Sequence, residues 1–571
     1  MKKITNYFIL ILAAALFSGC SGLNKMKKEA GDIKYEVTPK ILEAHGGMVN
    51  VTVKGTFPEK YFNKKATLEA APVLTYAGGE TPFEKVQVLQ GEKVQSNNKV
   101  ITYTGGDFTY TSAIPYKEAM KMSELFLKTN ATLGKKSLDF DPVKLADGVI
   151  ATSTLVMVHA RPIMMKDNYV RITPESKMAD INYVINQAEV RNSELKAEDI
   201  KLLKEYISQV TADSSRKLKG TVISSYASPD GELDLNEKLS GKRGTSADKY
   251  IKKEFKKIEA ANADGFFSSL TTPEDWDGFM TEVQNSAIQD KDLILRVLSM
   301  YSDPVVREKE IKNMSSAYEA LKMDILPKLR RSKMTVNVDL IGRSDEEILA
   351  QIKSDPKVLG IEELLYAGTL TKDADEKLSF YKIAADNFPK CIRAHNNVGY
   401  TLLGLGKADE ALSSFEKAKA IENNDVVKNN TGFAYLLKGD NAKAEELFNS
   451  MTAATPESKW GLGVIAITKG EYDKAVNYFG TEDCYNNALA LVLKGDVNKA
   501  KTMLDGMKEM CKCGKPSYLK AIVGARLDNK TYMLDGLKEA IGFKPEMKAA
   551  AKTDMEFAKY FADDAFKALV Q

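Results

Sequence analysis

The chain has 571 residues, and at about 100–200 residues per domain that length calls for several domains and argues against a single compact core. Lys and Arg total 81 against 78 Asp and Glu, a net charge of +3, so the sequence lacks the broad basic field that nucleic acid rewards. Hydrophobic residues at 44% and charged residues at 28% argue against wholesale disorder and against a polytopic membrane protein, and three His and five Cys leave little material for histidine catalysis, a multi-ligand metal site or a disulfide scaffold.

Lys2 and Lys3 precede the apolar run Tyr7–Phe17, which Ser18-Gly19-Cys20 closes with two small residues ahead of a cysteine, the layout of a secretory signal. The run is too short to span about 30 Å of hydrocarbon as a helix. The stretch Leu16-Phe17-Ser18-Gly19-Cys20 resembles the lipobox of bacterial lipoproteins, departing from it at Phe17, where an aliphatic residue is usual. The resemblance implies a signal peptide over 1–19 and lipidation, for example by palmitate, of Cys20. Ser21 rather than Asp implies the outer membrane, and the basic residues Lys25, Lys27 and Lys28 favour its periplasmic face over surface export. Residues 20–34 are expected as a lipidated, flexible linker.

From 35 to 165 the period is two. Val49, Val51 and Val53 alternate with polar neighbours, Val100–Tyr103 and Phe108–Thr111 flank a Gly-Gly turn, and Ile150–Val158 reads as a last strand. The expectation is an antiparallel β-domain of sandwich type. His45 and His159 have no partner spacing that marks catalysis.

Residues 166–345 mix periods. Strand-like Ile181–Val184 and Thr221–Ser225 bracket a helix with Ile200, Leu203 and Ile207 on one face, and a second helix carries Leu235, Leu239, Ala247 and Ile251 with Arg243 on the same stripe. An inward arginine must find an anion, because an unpaired buried charge costs several kcal/mol; that anion is either internal, such as Asp230 or Asp339, or a ligand carboxylate. The run Ile223-Ser224-Ser225-Tyr226-Ala227-Ser228-Pro229-Asp230-Gly231, with Asn236 and Leu239-Ser240-Gly241-Lys242-Arg243 after it, resembles the signature of OmpA-like peptidoglycan-associating domains. That resemblance implies an α+β fold and a peptidoglycan site at Arg243, Asp230, Ser228 and Asn236. In the family an Asp and an Arg hold the diaminopimelate of the peptide stem. Arg243 matches the arginine; Ser228 stands at the acid's position, with Asp230 two residues on. Residues 256–326 read as a helical insertion whose Trp276, flanked by acids, is either a partner anchor or a buried residue.

Residues 346–571 contain a repeat. Gly406, Gly439, Gly470 and Gly495 are each followed five residues later by an alanine, and then four residues on by Phe415, Phe448, Phe479 and Leu504. Gly399, Gly432, Gly463 and Ala488 recur seven residues before each turn glycine. This self-similarity resembles tetratricopeptide (TPR) repeats and implies an all-α solenoid with a concave groove. On that pattern the groove includes Arg393, Asn396, Tyr400, Asn429, Phe433 and Trp460. Asn397, Asn430 and Asn486 share one repeat position, where an amide either pairs with an extended peptide backbone or bridges neighbouring repeats. Cys511 and Cys513 lie two residues apart, and Cys484 or Cys391 is a candidate disulfide partner for one of them.

The architecture expected is therefore multidomain: a β-sandwich-like domain, an OmpA-like α+β domain with a helical insertion, and a C-terminal TPR solenoid. It is similar to Bacteroidota-type outer-membrane lipoproteins that combine the last two. The resemblance implies a non-enzymatic adaptor, without catalytic residues, metal or cofactor. Its partners would be envelope proteins in the groove, such as outer-membrane assembly or secretion machinery, with peptidoglycan contact as a second role and no nucleic acid.

Overall fold

The computed structural model describes residues 22–507 and 511–571. The signal segment and Cys20 lie outside the described residues. The chain divides into two compact units: one runs to Met165 and resumes over Asp373–Gln571, and the other is Lys166–Lys372, inserted between them.

In the first unit the alternation in Met48–Phe57 does what a period of two predicts, turning Val49, Val51, Val53 and Phe57 inward. This strand pairs antiparallel with Lys34–Thr38 and Ile41–His45, and also with Gly106–Pro115. Ile41–His45 then pairs in parallel with Val143–Ile150, and the sheet continues through Ser123–Leu133, Thr67–Tyr76 and Gln87–Gly91 to Lys99–Ile101. One continuous 11-stranded half-barrel results, in place of the two separate layers of a sandwich, because Ile41–His45 joins both halves around a shared core. The expected hairpin across Gly105 does not form. A turn closes between Thr102 and Gly105, but the flanking strands go to different neighbours, Gln87–Gly91 and Met48–Phe57.

Two further expectations change here. Residues 22–28 are helical and bury Leu23 and Met26 in the sheet core, so that part of the expected flexible linker is docked. The strand expected at Ile150–Val158 ends at Ile150; Thr152–Leu155 is a 3-10 turn, and the chain beyond it leaves the sheet.

The second half of this unit is a helical solenoid from Ala374 onward, built of antiparallel pairs such as Ile392–Gly404 with Ala408–Ile421 and Asp425–Leu437 with Asn441–Asn449. The four turn glycines all have positive φ, between 74° and 97°, which a side chain disfavours. The small residues of the first helices are fixed by contact. A Cβ on Gly399, Gly432 or Gly463 would lie 2.3–2.6 Å from the ring of Phe415, Phe448 or Phe479, whereas the fourth repeat has Ala488 and Leu504 at the corresponding positions.

The inserted unit has a four-stranded sheet in the order Ile172–Asn182, Arg331–Ile341, Arg216–Tyr226, Phe267–Thr272, antiparallel except for the last pair. Helices Glu198–Ala212 and Leu233–Glu254 cover one face, packing Ile200, Leu203, Ile207, Ala247 and Ile251 on Ile181, Ile223, Met334 and Val336. Leu235, expected on the inward stripe, is exposed. The expected insertion contributes Phe267–Thr272 to the sheet, so only the helices from Trp276 to Leu329 stand apart, around their own core of Phe279, Val283, Ile294, Leu298 and Leu321. Trp276 is buried and donates to Glu274, an internal role and not an exposed anchor. Helices Asp345–Ser354 and Ile361–Ala367 belong to this unit.

Candidate functional site

The solenoid groove is occupied by the chain itself. Residues 155–165, leaving the half-barrel, run extended along the first helices of the repeats, from the fourth repeat towards the first. Three asparagines nine residues before their turn glycines hold the main chain by both amide atoms. Asn486 accepts from Met157 N (2.9 Å) and donates to its carbonyl (2.7 Å). Asn430 does the same to Ile163 (2.7 and 2.8 Å), and Asn397 to Met165 (2.9 and 2.8 Å). A side-chain amide has one acceptor and two donors at a spacing that matches one residue of extended backbone, so the grip is on the main chain.

The preceding asparagines tie the clamps together. Asn396 donates to Ile163 O (3.1 Å) and to Asn397 Oδ1, and it accepts from Asn430 (2.9 Å). Asn429 donates to Arg161 O (3.3 Å) and to Asn430 Oδ1. The two roles weighed from sequence, backbone capture and bridging of repeats, are thus both present. All four amides are wholly buried, where an unmade hydrogen bond costs about 1–3 kcal/mol.

The ladder breaks at the third repeat. The position of Asn397 and Asn430 is Gly461 there, whose Cβ would lie 2.6 Å from Phe448 and 3.4 Å from Phe433, so no asparagine fits. Asn429 Oδ1 is left buried without a partner, where Asn396 Oδ1 has Asn430. Side chains take over. His159 packs against Trp460 with ring centroids 4.1 Å apart and planes tilted by 46°, Arg161 lies over the same indole at 4.5 Å, and its guanidinium pairs with Glu482 at 2.7 Å. Burial and the Arg161 charge hold the His159 pKa below its usual value. At the upper end Tyr485 and Lys515 both donate to Leu155 O.

Of the groove residues expected from sequence, Asn396, Asn429 and Trp460 touch the bound segment. Phe433 is core, packed on Phe448 and Trp460, and Arg393 and Tyr400 are half-buried on the first repeat helix. Asn397, Asn430 and Asn486 carry the main contacts. The groove expected to take a partner peptide already holds residues 155–165.

In the inserted unit Arg243 is fully buried and donates to three main-chain carbonyls, of Gln187, Tyr226 and Val184, at 3.0, 2.8 and 3.4 Å. Burial lowers its pKa to about 10, which leaves it charged at neutral pH. Asp230 pairs with Arg330 (3.3 Å), whose Nε donates to Ser228 Oγ (3.2 Å). Asn236 closes the turn by donating to the carbonyls of Ser228 and Gly231. The four residues expected at one site are neighbours, and each already has an internal partner. The anion expected for an inward Arg243 is not its hydrogen-bond partner: Asp230 pairs with Arg330 and Asp339 with Lys219, and three neutral carbonyls take the guanidinium instead.

Cys511 and Cys513 are bonded to each other, while Cys391 and Cys484 are free thiols, so the pairing weighed with either of those is not made. Among the described residues no cluster of three or more His, Cys, Asp or Glu is placed to hold a metal, and no helix is long and apolar enough to cross a membrane.

Residues 392–425 match the tetratricopeptide repeat family. None of the curated proteins compared matches the chain. Among solved structures the chain is similar to a tetratricopeptide repeat protein from Parabacteroides merdae, at 15% identity over 38% of this chain and 91% of that one, with a TM-score of 0.30. It is also similar to PilW, a type IV pilus biogenesis factor (17% identity, 40% and 89% covered, TM-score 0.23). A third is YrrB, a TPR protein with an unusual peptide-binding site (15%, 38% and 100%, TM-score 0.22). The C-terminal region is thus a helical solenoid that contains a match to the tetratricopeptide repeat.

Proposed function

We propose that this chain is a non-enzymatic scaffold of the bacterial outer membrane, anchored by a lipid on Cys20, that assembles envelope proteins around its TPR solenoid. The observation that carries the scaffold reading is the groove: amides that grip main chain along three repeats recognise extended polypeptide and perform no chemistry on it. The lipid anchor and the periplasmic face rest on the lipobox resemblance and on the basic residues after Cys20.

The occupied groove refines where partners bind. Residues 155–165 are tethered at both ends, which gives them an effective concentration that a free peptide matches only in the millimolar range. Partners therefore dock on the solenoid's outer surfaces or on the other domains, and the groove acts as a clasp. The alternative, a structural peptidoglycan tether, is less favoured, because a peptide stem would have to displace Arg330 from Asp230 and three carbonyls from Arg243.

Crosslinking with mass spectrometry on intact envelopes tests the reading. Protein partners linked to lysines on the outer helices, such as Lys417 or Lys501, are expected; recovery of peptidoglycan alone would overturn it. A sacculus pull-down that depends on Arg243, lost in Arg243→Ala, would favour the alternative instead.

A further inference from the structure

We propose that the face of the half-barrel around Gly22 is a docking surface for anionic phospholipid, lying flat on the membrane that carries the anchor. The orientation rests on the lipid-anchored reading; the charge and its placement do not.

Three segments converge there. Residues 22–28 form a helix held down by Leu23 and Met26, which are 3% and 1% exposed. Gly22 sits against Asn63, in the connection between Met48–Phe57 and Thr67–Tyr76, and against Leu133, at the turn into Lys136–Asp139. Lys25 donates to Lys60 O, and Lys93 N to Lys64 O, which brings the next lysines into the same surface. The segments 22–28, 58–66 and 133–137 together hold eight lysines and one acid, Glu59.

Some of this charge is matched. Lys64 pairs with Glu92 at 2.9 Å, Lys27 with Asp141 at 3.2 Å, and Lys25 with Glu29 at 3.8 Å. Lys28, Lys65 and Lys135 are exposed and have no carboxylate partner among the described residues. In a chain whose net charge is only +3, this concentration of one sign is local.

The second observation is distance. Only Ser21 separates Cys20 from Gly22 in the sequence, two residue steps that span at most about 7 Å of extended chain. Because the helix from residue 22 is docked, acylation of Cys20 would keep the headgroups within that short reach of this face. A flexible linker would have left the orientation free. Each lysine within a Debye length of an anionic surface strengthens binding about fivefold, so three together give about 100-fold.

The test uses the mature chain with Cys20→Ser, so that charge alone is read, sedimented with vesicles of phosphatidylethanolamine with and without phosphatidylglycerol. Binding is expected only with phosphatidylglycerol. It should weaken about 100-fold in Lys28→Gln/Lys65→Gln/Lys135→Gln, and fall steeply with added salt. These side chains are exposed, and an unchanged circular-dichroism melt confirms folding. Equal binding by the variant, or binding indifferent to phosphatidylglycerol, overturns the proposal. The intact mass of the mature protein from envelopes reads acylation separately. An unmodified Cys20 alongside charge-dependent vesicle binding would sink the anchor reading and leave the lipid surface standing.

Discussion

Asn430 is the residue on which the clasp turns. Its amide makes both bonds to Ile163 and also reaches Asn396, so it serves the bound segment and the repeat stack at once. Asn430→Ala removes both of Ile163's bonds to that amide and one repeat bridge, and is expected to cost about 2–3 kcal/mol, since each buried polar group left unpaired costs about 1–3. Hydrogen exchange checks the mechanism: the Ile163 amide should exchange faster in the variant, while Met157, held by Asn486, should not. Unchanged protection at Ile163 would mean that the amide contact is incidental. The recurrence of Asn397, Asn430 and Asn486 was legible in the sequence because it shares the spacing of the turn glycines. Their ligand was not legible. A segment read by its main chain leaves no side-chain signature, and residues 155–165 stand more than 200 positions from the helices that hold them. The break at Gly461 was hidden for a related reason, since it depends on Phe433 and Phe448 filling the space of an amide.

At the level of elements, the glycine–aromatic pairs set how closely the helices of each repeat approach. Gly432→Ala would gain about 0.5–1 kcal/mol of helix propensity but drives a Cβ to 2.6 Å from the Phe448 ring, an overpacking that costs about 1–3 kcal/mol. Phe448 is itself buried against Phe433 and has little room to yield, so net destabilisation is expected. Gly404→Ala provides the control, because a Cβ there meets nothing within 4 Å and the propensity gain stands alone. Opposite shifts in thermal midpoint are the result expected; a stabilised Gly432→Ala would show that the ring spacing is slack. Elements of this kind were readable because a helix pair repeats its own contacts locally. The sheets were read less well for the converse reason. Val49, Val51 and Val53 announced a strand, but strand partners are chosen far along the chain, so Lys99–Ile101 and Gly106–Pro115 part company despite the turn between them. Phe267–Thr272 was likewise lost inside a segment rich in helical pattern.

At the scale of the whole first unit, half-barrel and solenoid are one body, joined at a buried ionic node. Arg526 Nε lies 3.0 Å from both oxygens of Glu556, and its guanidinium also reaches Glu43 of strand Ile41–His45 at 3.6 Å. Thr152 donates to the same Glu556, and His45 meets Tyr472 edge-on at 4.8 Å. Beside this node Asp554 accepts from Tyr518 at 2.8 Å and from Glu556 N at 3.0 Å. Burial holds the Asp554 pKa above the usual carboxylate range, and burial does the same to Glu43 despite the attraction of Arg526. The sign follows from proton counting. A carboxyl whose pKa is higher in the folded chain holds its proton longer there than when unfolded, so stability is greatest below the unfolded pKa of about 4 and declines as pH rises through the folded value. Asp554→Asn keeps an acceptor for Glu556 N and a polar partner for Tyr518, and removes the buried charge. Urea titrations of both proteins between pH 4 and pH 7 should therefore show the variant gaining on the wild type as pH rises. For one proton the difference is bounded at about 1.4 kcal/mol per pH unit. Parallel stability curves would place the ionised Asp554 at no cost and move the pH dependence to Glu43. The half-barrel and solenoid should respond together in either case, because the charges that titrate sit between them.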